Sequence, residues 1–565
     1  MPDSPEREFH FSPRPNRAAE IGWRPWSEDA FAEARATDRP ILLSISAVWC
    51  HWCHVMDETT YSDPAVIELL RERYVPVRVD NDLRPDINQR YNMGGWPTTA
   101  FLTSGGDILT GGTYIPPDKM RDAAARVATI YRDQKGQIEA QVEEGRQDAS
   151  RSVAASAGAI DPRLVDRVLG AAEGAYDEEH GGFGSQPKFP MTEALLFCAE
   201  QSLRRREPHL LEIARSTLEH MAESGTYDHV AGGFFRYSTT ADWSVPHFEK
   251  MLEDHAGLIS ALARTGQEAI LDDTIRYLGT VLREPASGLF WGSQDADEHY
   301  YALDAAGRAK LEPPAVDRRV YASWNCQFAH AYLEADSWLD RPDLAGQAQH
   351  LLTSLFDRLW SAETGGLAHA DGVPGQLPDQ AAGLRAATAA WGAGFGDLWR
   401  ERALALARHL EERYGDPEQG GYLDRPQDDS GAAGLGRLSQ RIKPLEQNAL
   451  CALGLLELSA LLGDPGSDLH ERAERALKSV AGLAPQMGLQ GAVFARALDR
   501  LVAPAVKVTT GTADLGRHAL RSYPYAVIER SPDEPAAILC VGATCLQPET
   551  DGVRLEASIR REVDG

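Results

Sequence analysis

Apolar residues in the first 150 positions come in short runs with either strand or helix spacing. PILLSIS (40–46) is a brief apolar run and YVPVRVD (74–80) alternates in the same manner, so both predict strands. Between them, WCHWCHVMDETTYSDPAVIELLRERY predicts a helix, a turn at Asp63-Pro64 and a second helix. TTAFLTSGGDILTGG reads as a hairpin turned by glycines. PPDKMRDAAARVATIYRDQ reads as a helix with proline at its start, where a missing N–H costs nothing. The order β-α-β, then ββ-α, describes a small α/β domain over residues 1–150.

From residue 160 to 500 the strand signal nearly vanishes. Segments such as EIARSTLEHMAES, ERALALARHLEERY and ERAERALKSVAGL have helical period. Short glycine turns recur among them, anchored at Gly182, Gly233, Gly288, Gly366 and Gly421, with spacings of 51, 55, 78 and 55 residues. Each spacing holds two helices plus connections, the signature of a helical-hairpin array. Roughly 57 residues per repeat gives about six hairpins, the number that closes an (α/α)6 toroid. No sixth glycine turn is recognisable, so an open solenoid stays an alternative. The polar and aromatic residues at the turn tips favour closure around a lined cavity. After residue 503 alternation returns in AVKVTT, YAVIER and AAILCVGATC, predicting a small strand-containing appendage over 503–565. The expected fold class is multidomain: an α/β domain, an all-α toroid and a small C-terminal α/β region.

Composition fits a soluble globular protein of two to four domains: 565 residues, 43% hydrophobic and 25% charged. A net charge of −27 opposes nucleic acid and anionic membranes, and no basic patch offsets it, so neither is an expected partner. The first twenty residues carry charges and prolines where a signal peptide has its apolar core. The most apolar stretch, NALCALGLLELSALLG, is interrupted by Glu457 and shorter than a bilayer requires. Seven cysteines, an odd number and mostly scattered, suit a reducing compartment. The expected location is therefore cytoplasmic.

SAVWCHWCHVM (46–56) concentrates Cys50, His51, Cys53 and His54 in five positions. Four readings compete for it: haem attachment, zinc, thiol–disulfide exchange, or an ordinary helix start. Haem c attachment needs export. Structural zinc needs a second matched pair, and Cys198, Cys326 and Cys451 lie alone on helical segments, which leaves only Cys540 and Cys545 as a complement. Thiol exchange needs a strand feeding a helix whose N-terminus holds the first cysteine, where free N–H groups and the helix dipole stabilise a thiolate. The strand at 40–46 supplies that context. Forty-four residues after Cys53, GGWPTTAFL places Pro97 directly before an apolar strand, the position of a cis-proline facing a disulfide. The context favours a redox dithiol.

WC-x-x-C, Pro97 and the β-α-β-ββ-α order resemble thioredoxin. RPWSEDAFAEARATDRPILLSIS, CHWCHVM, VRVDNDLRPDINQRY, GGWPTTAFL and GGTYIPP are more closely similar to one family. Its members fuse a thioredoxin-like domain to a six-hairpin toroid, and they include the spermatogenesis-associated thioredoxin-domain proteins of animals and many bacterial relatives. GGFGSQPKFP, YDHVAGGFFRYSTTADWSVPHFEKMLEDHA, SQDADE, SWN and CVGATCLQPETD extend the resemblance over most of the chain. It implies Cys50 as attacking thiolate, Cys53 as resolving thiol, Pro97 opposite them and His51 favouring the thiolate. Trp52 and Trp96 would shield the dithiol, and Met56 would simply pack in the core. Two departures stand out. The stretch between Tyr91 and Gly94 is about ten residues shorter than the family pattern. Ser44 stands where thioredoxin has a buried aspartate that helps deprotonate the resolving cysteine.

In the toroid, SVPHFEKMLEDHAGLI places His247, Glu249, Lys250 and Asp254 at the expected start of an inner helix. His247 and Asp254, seven apart, would share a face with Lys250 nearby. Asp177 and Asp228 precede the first two glycine turns, and Asp295, Asp297 and Glu298 follow the third. Carboxylate pairs act as acid and base on glycosidic bonds, and histidines shuttle protons in epimerisation. The same residue types also cap helices and anchor turns. Phe234, Phe235, Tyr237, Trp243 and Trp291 fit either sugar stacking or a core. The leading expectation is thiol–disulfide oxidoreduction at Cys50/Cys53, with a toroid cavity for a sugar-like ligand and a redox partner protein. A carbohydrate epimerase or hydrolase regulated by the thioredoxin-like part, and a non-catalytic scaffold, are the alternatives. No cofactor or metal is expected.

Overall fold

The computed structural model describes residues 9–154, 157–426, 434–464 and 468–564. The chain divides into two compact units. The first takes Met1–Ala154, Asp295–Asp297 and Asp428–Ile442; the second takes Ala155–Gln294, Glu298–Gln427 and Lys443–Gly565.

In the first unit α1 (Glu28–Thr37) leads into β1 (Ile41–Ser46), α2 (His51–Glu58), α3 (Pro64–Arg73) and β2 (Val75–Asp80). Then come α4 (Pro85–Tyr91), β3 (Thr98–Leu102), β4 (Ile108–Gly112), α5 (Pro117–Asp133) and α6 (Lys135–Ala154). The sheet order is β2-β1-β3-β4, with β1 parallel to β2 and antiparallel to β3. Central strands β1, β2 and β3 are buried on both faces, as their near-continuous apolar runs require. Asp63 caps α3 by accepting from the N–H groups of Ala65 and Val66, and Pro64 occupies the first helical position. This is a thioredoxin-like arrangement. Helices α1 and α4, absent from the sequence reading, are short polar-rich segments whose apolar positions are few.

The second unit begins with α7 (Arg163–Ala175), α8 (Thr192–Arg205) and α9 (Pro208–Glu223). Two-residue strands β5 (Tyr237–Ser238), β6 (Pro246–His247) and β7 (Lys250–Met251) precede α10 (Leu252–Thr265) and α11 (Glu268–Val281). Next are β8 (Ser293–Gln294), two one-turn helices, α12 (Glu298–Tyr301) and α13 (Ala305–Arg308), and β9 (Val316–Asp317). Then follow α14 (Ala322–Leu339), α15 (Pro342–Leu359), the hairpin β10 (Trp360–Ser361) and β11 (Gly366–Leu367), and α16 (Leu377–Gly392). Helices α17 (Asp397–His409), α18 (Leu445–Leu462), α19 (Asp468–Val480) and α20 (Ala492–Val502) complete the array.

Six inner helices pack in sequence, α8 on α10, then α14, α16, α18 and α20, and α20 packs back on α8. Each packs on an outer helix: α8, α10, α14, α16 and α18 on the outer helix that follows, α9, α11, α15, α17 and α19, and α20 on α7. The ring is therefore a closed (α/α)6 toroid, and the open solenoid is set aside. Helix α18 is long and apolar enough to cross a membrane by length and composition, but 72% of its most apolar window is buried inside the fold.

Five outer-to-inner turns share one construction. A bridge links residues seven apart: Tyr176 to Phe183, Tyr227 to Phe234, Arg283 to Phe290, Trp360 to Leu367 and Gly415 to Tyr422. Within four of them the buried N–H after the glycine is accepted by the inner helix that follows. Phe234 donates to His255 Nε2 (3.0 Å), Phe290 to Asn325 Oδ1 (2.9 Å), Leu367 to Gln380 Oε1 (2.9 Å) and Tyr422 to Asn448 Oδ1 (2.7 Å). In the first turn Gly182 donates to Thr217 Oγ1 of α9 instead. Glycine is required at Gly233, where φ is +79° and an added Cβ would sit 2.5 Å from the Tyr277 ring. The sixth connection is built differently, from two short 3-10 turns at Ala484–Gln486 and Gly488–Gly491, so no glycine repeat marks it.

Three of the eight lysines clamp these turns. Lys188 Nζ donates to Asp177 Oδ2 (2.6 Å), Gly181 O (2.7 Å) and Ala241 O (2.8 Å). Lys250 donates to Asp228 (2.7 Å) and Gly232 O (2.8 Å), and Lys443 pairs with Asp416 at 2.8 Å.

The C-terminal region runs β12 (Val506–Thr510), α21 (Ala513–Ser522), β13 (Val527–Arg530), β14 (Ile538–Val541), β15 (Thr544–Cys545) and α22 (Gly552–Asp564). Its sheet order is β13-β12-β14-β15, with one parallel pair followed by two antiparallel ones. This repeats the connectivity of the N-terminal sheet, so the appendage is a small thioredoxin-like β-α-β-β-β-α module without a dithiol at its helix start. α22 packs on β14 and on α21, while α16 and α18 contact β13 of the same sheet. A disulfide joins Cys540 to Cys545, which removes the pair as a zinc complement for Cys50 and Cys53.

Asn325 also donates to Phe290 O and Tyr321 O, and Asn448 to Tyr422 O and Pro444 O. Asn325→Ala and Asn448→Ala should each cost about 3 kcal/mol through stranded buried backbone groups. Denaturant midpoints of the full chain check this; a change under about 1 kcal/mol would contradict the turn construction.

Candidate functional site

Strand β1 delivers the chain to Ala47-Val48-Trp49 and then to Cys50, which is the N-cap of α2. Cys50 Sγ accepts from the Cys53 N–H at 3.1 Å, and the two cysteines form a disulfide. Both are buried, 3% and 2% exposed, whereas Trp52 beside them is 44% exposed. The register Ile45↔Thr98 between β1 and β3 puts Pro97 one residue beyond the paired strands, beside the β1–α2 junction. The Trp96–Pro97 bond is cis, as GGWPTTAFL predicts. Around it, Trp49 packs edge-on against Trp96 with ring centroids 5.4 Å apart, and its Nε1–H donates to Asp82 at 2.8 Å. The Trp96 indole N–H is shared by Asn81 (3.1 Å) and Asn88 (3.2 Å). Cys50, His51 and Cys53 thus stand at the start of α2, and Pro97 lies just before β3, next to the end of the strand that leads into α2.

Buried charge beneath the dithiol is arranged in its own way. Ser44 is buried and neutral, so no acid occupies that position. Asp57, one turn beyond Cys53, is fully buried but bound by both Arg78 guanidinium nitrogens at 2.8 and 2.9 Å. His54 is 8% exposed, with Nδ1 3.4 Å from Asp295. Burial, reinforced by His10, His51 and Arg78, drives its pKa down to about 3, so the ring is neutral at physiological pH. Met56 packs in the core, as expected of an ordinary helix residue.

In the second unit several candidates occupy other places than the sequence suggests. α10 starts at Leu252, so His247 and Lys250 lie in short strands before it, and the shared helical face of His247 and Asp254 does not exist. Lys250 and Asp228 are buried against each other, with Arg308 also on Asp228 at 2.8 Å. Burial pushes Lys250 down to about 8; against the same burial penalty, Lys250 and Arg308 hold Asp228 at about 2. Both build the turn. Trp243 is fully buried, with its indole N–H donating to His180 O at 3.0 Å, and Phe234 and Phe235 are also core. Asp295 and Asp297 fall in the first unit, Asp295 beside His54.

The toroid does hold a cavity, about 250 Å³, lined among others by Glu253, Asp254, Gln327, His330, Arg385 and Glu446. Three of its charged lining residues are paired: Glu334 with Arg264 (2.5 Å), Arg385 with Glu457 (3.3 Å) and Arg496 with Glu200 (2.7 Å), and Arg264 also reaches Glu200 (3.1 Å). Asp254 Oδ2 is buried with no hydrogen-bond partner. Burial raises its pKa to about 6, opposed by Arg236 and assisted by Glu249. His247 Nδ1 lies 3.2 Å from both Glu249 oxygens, and its ring stacks on Tyr237, which stacks on the half-exposed Phe189 at centroid distances of 4.5 and 4.6 Å. Sequence reasoning missed His330, Glu334, Arg385, Glu457 and Arg496. Their signal is a charge in the middle of a helix that is otherwise apolar all round.

Residues 14–150 match a family model, Thioredox_DsbH, described as "Protein of unknown function, DUF255". Over 309 residues, 49% of this chain, the sequence is 34% identical to spermatogenesis-associated protein 20 of Homo sapiens. The matched stretch spans only 39% of that relative, and 41% of a similar uncharacterized protein of Caenorhabditis elegans. A 92-residue stretch is 28% identical to the thiol:disulfide interchange protein DsbD of Campylobacter jejuni, covering 16% of each chain. Among solved structures, the cellobiose 2-epimerase of Spirochaeta thermophila aligns with a TM-score of 0.44 and 18% identity, over 63% of this chain and 96% of that one. The resemblance drawn from the motifs is borne out to this extent: residues 14–150 match the Thioredox_DsbH model, and about half of the chain is similar to spermatogenesis-associated protein 20.

Asp254 yields a pH prediction. Its folded-state pKa, about 6, lies above the ordinary 3.8, so its favourable contribution is full below 3.8 and is lost as pH rises through 6. Asp254→Asn should therefore flatten the fall in melting temperature between pH 4 and 6 and melt higher than the native chain at pH 7. An unchanged pH profile would show that Asp254 titrates normally.

Proposed function

We propose that the chain is a thiol–disulfide oxidoreductase working at Cys50 and Cys53. The observation that supports this most directly is the Cys50–Cys53 disulfide at the N-terminus of α2 beside cis-Pro97. Reduction opens the disulfide to two thiols. Cys50, as N-cap, then has its sulfur against the Cys53 N–H and the positive end of the helix, which favours a thiolate. In exchange, the Cys50 thiolate attacks one sulfur of a partner disulfide and the other partner sulfur leaves. Cys53 then attacks Cys50 Sγ and releases the second partner thiol, reforming the intramolecular bond. His51 adds a positive charge next to Cys50 when protonated, which stabilises the reduced form and makes the pair more oxidising than thioredoxin. Similarity of a 92-residue stretch to DsbD agrees with this chemistry. The cytoplasm is the proposed site of action, and a disulfide-bearing protein the proposed partner.

A second reading concerns the toroid, where the unpartnered Asp254 oxygen in a cavity of about 250 Å³ calls for a ligand donor. Sugar hydroxyls supply such donors, the His247–Glu249 pair supplies an acid–base couple, and the Phe189–Tyr237–His247 stack offers an aromatic face. We infer a small sugar or glycan as the ligand class, bound or turned over there.

Cys53→Ser should trap mixed disulfides through Cys50 in lysate, seen as reductant-sensitive bands, and Cys50→Ser should trap none. Absence of any adduct on Cys53→Ser would remove the redox reading. For the toroid, a panel of mono- and disaccharides should raise the melting temperature of the native chain. That shift should disappear in both His247→Ala and Asp254→Ala; a shift surviving in both would place the ligand elsewhere.

A further inference from the structure

The seven cysteines sort into two chemical classes. Cys198, Cys326 and Cys451 are buried single thiols on inner helices, and burial raises the pKa of all three, Cys198 to about 12. They are inert to exchange. The other four form two disulfides, Cys50–Cys53 and Cys540–Cys545. The second pair spans the β14–β15 hairpin, its cysteines directly opposite each other in the register. It closes so short a loop that it constrains the unfolded chain far less than a long-range cross-link would. A purely structural staple is therefore a weak account of it.

Two features make the bond accessible from one side. β15 is the edge of its sheet, with β14 on one side and, among the described residues, no strand on the other. Cys545 is an exposed residue while Cys540 is 7% exposed, which favours attack from the Cys545 side.

We propose that Cys540–Cys545 is a second, exchange-competent disulfide that accepts two electrons from a CxxC dithiol, supplied in trans by the reduced Cys50/Cys53 pair of another copy. The donor half of this proposal rests on the redox reading above. The Cys50 thiolate attacks Cys545 Sγ; a Cys50–Cys545 bond forms and the Cys540–Cys545 bond breaks, with the electron pair leaving on Cys540. Cys53, losing its proton to solvent, attacks Cys50 Sγ and expels Cys545 as a thiolate. The donor ends as the Cys50–Cys53 disulfide. The acceptor ends as the Cys540/Cys545 dithiol after both sulfurs take up protons.

The test mixes two full-length variants of different tag mass. The reduced donor carries Cys540→Ser and Cys545→Ser; the oxidised acceptor carries Cys50→Ser and Cys53→Ser. Alkylation and peptide mass spectrometry then count free thiols at Cys540 and Cys545 over time. Transfer at least tenfold faster than from the same donor with Cys50→Ser is expected, and a donor with Cys53→Ser should accumulate a Cys50–Cys545 cross-link. A parallel arm offers the donor glutathione disulfide. A donor that reduces glutathione disulfide but leaves Cys540–Cys545 intact overturns this proposal and spares the redox reading. A donor that reduces neither overturns both. A cross-link to Cys540 in place of Cys545 refutes the assigned direction of attack.

Discussion

A backbone N–H buried inside a ring of apolar helices has no water to turn to, and the toroid is organised around that constraint. Five of the outer helices end in a tight glycine turn that buries such a group. In four of the hairpins the next inner helix answers it with one polar side chain: His255, Asn325, Gln380 or Asn448. The glycine, the bridge seven residues apart and the polar anchor are thus parts of one device. Without the anchor the turn would have to open to solvent, and the inner helices could not close into a ring.

The same economy governs charge. Inner helices that are apolar all round carry isolated ionic residues, and these meet one another across the ring. Glu200, Glu334 and Glu457 are matched by Arg264, Arg385 and Arg496. Matching of this kind makes a charged wall tolerable in a partly dry cavity. It also leaves Asp254 conspicuous, because its buried oxygen lacks a partner where its neighbours have one.

Local patterns were sufficient wherever a residue acts through its neighbours in sequence. The strands at 41–46 and 75–80, the Asp63-Pro64 helix start, the cis-proline and the repeat of hairpins all follow from period, capping and turn chemistry. Residues that act across the fold were not legible in this way. His247 and Asp254 were joined by a helical spacing that fails because β6 and β7 intervene before α10. Asp228 and Lys250 looked like cavity groups, yet they anchor a turn, and Arg308, which completes them, comes 80 residues after Asp228. The C-terminal module showed only alternation; its likeness to the N-terminal sheet appears in strand order, which alternation does not encode.

The chain uses 57 basic residues, of which eight are lysine, so arginine is its default cation. Lysine survives at Lys188, where three acceptors surround one nitrogen at 2.6, 2.7 and 2.8 Å. A planar guanidinium cannot present three donors from one compact centre. In a chain biased against a residue type, a buried remaining copy such as Lys188 is informative: it marks a place where shape, and not charge alone, decided the choice.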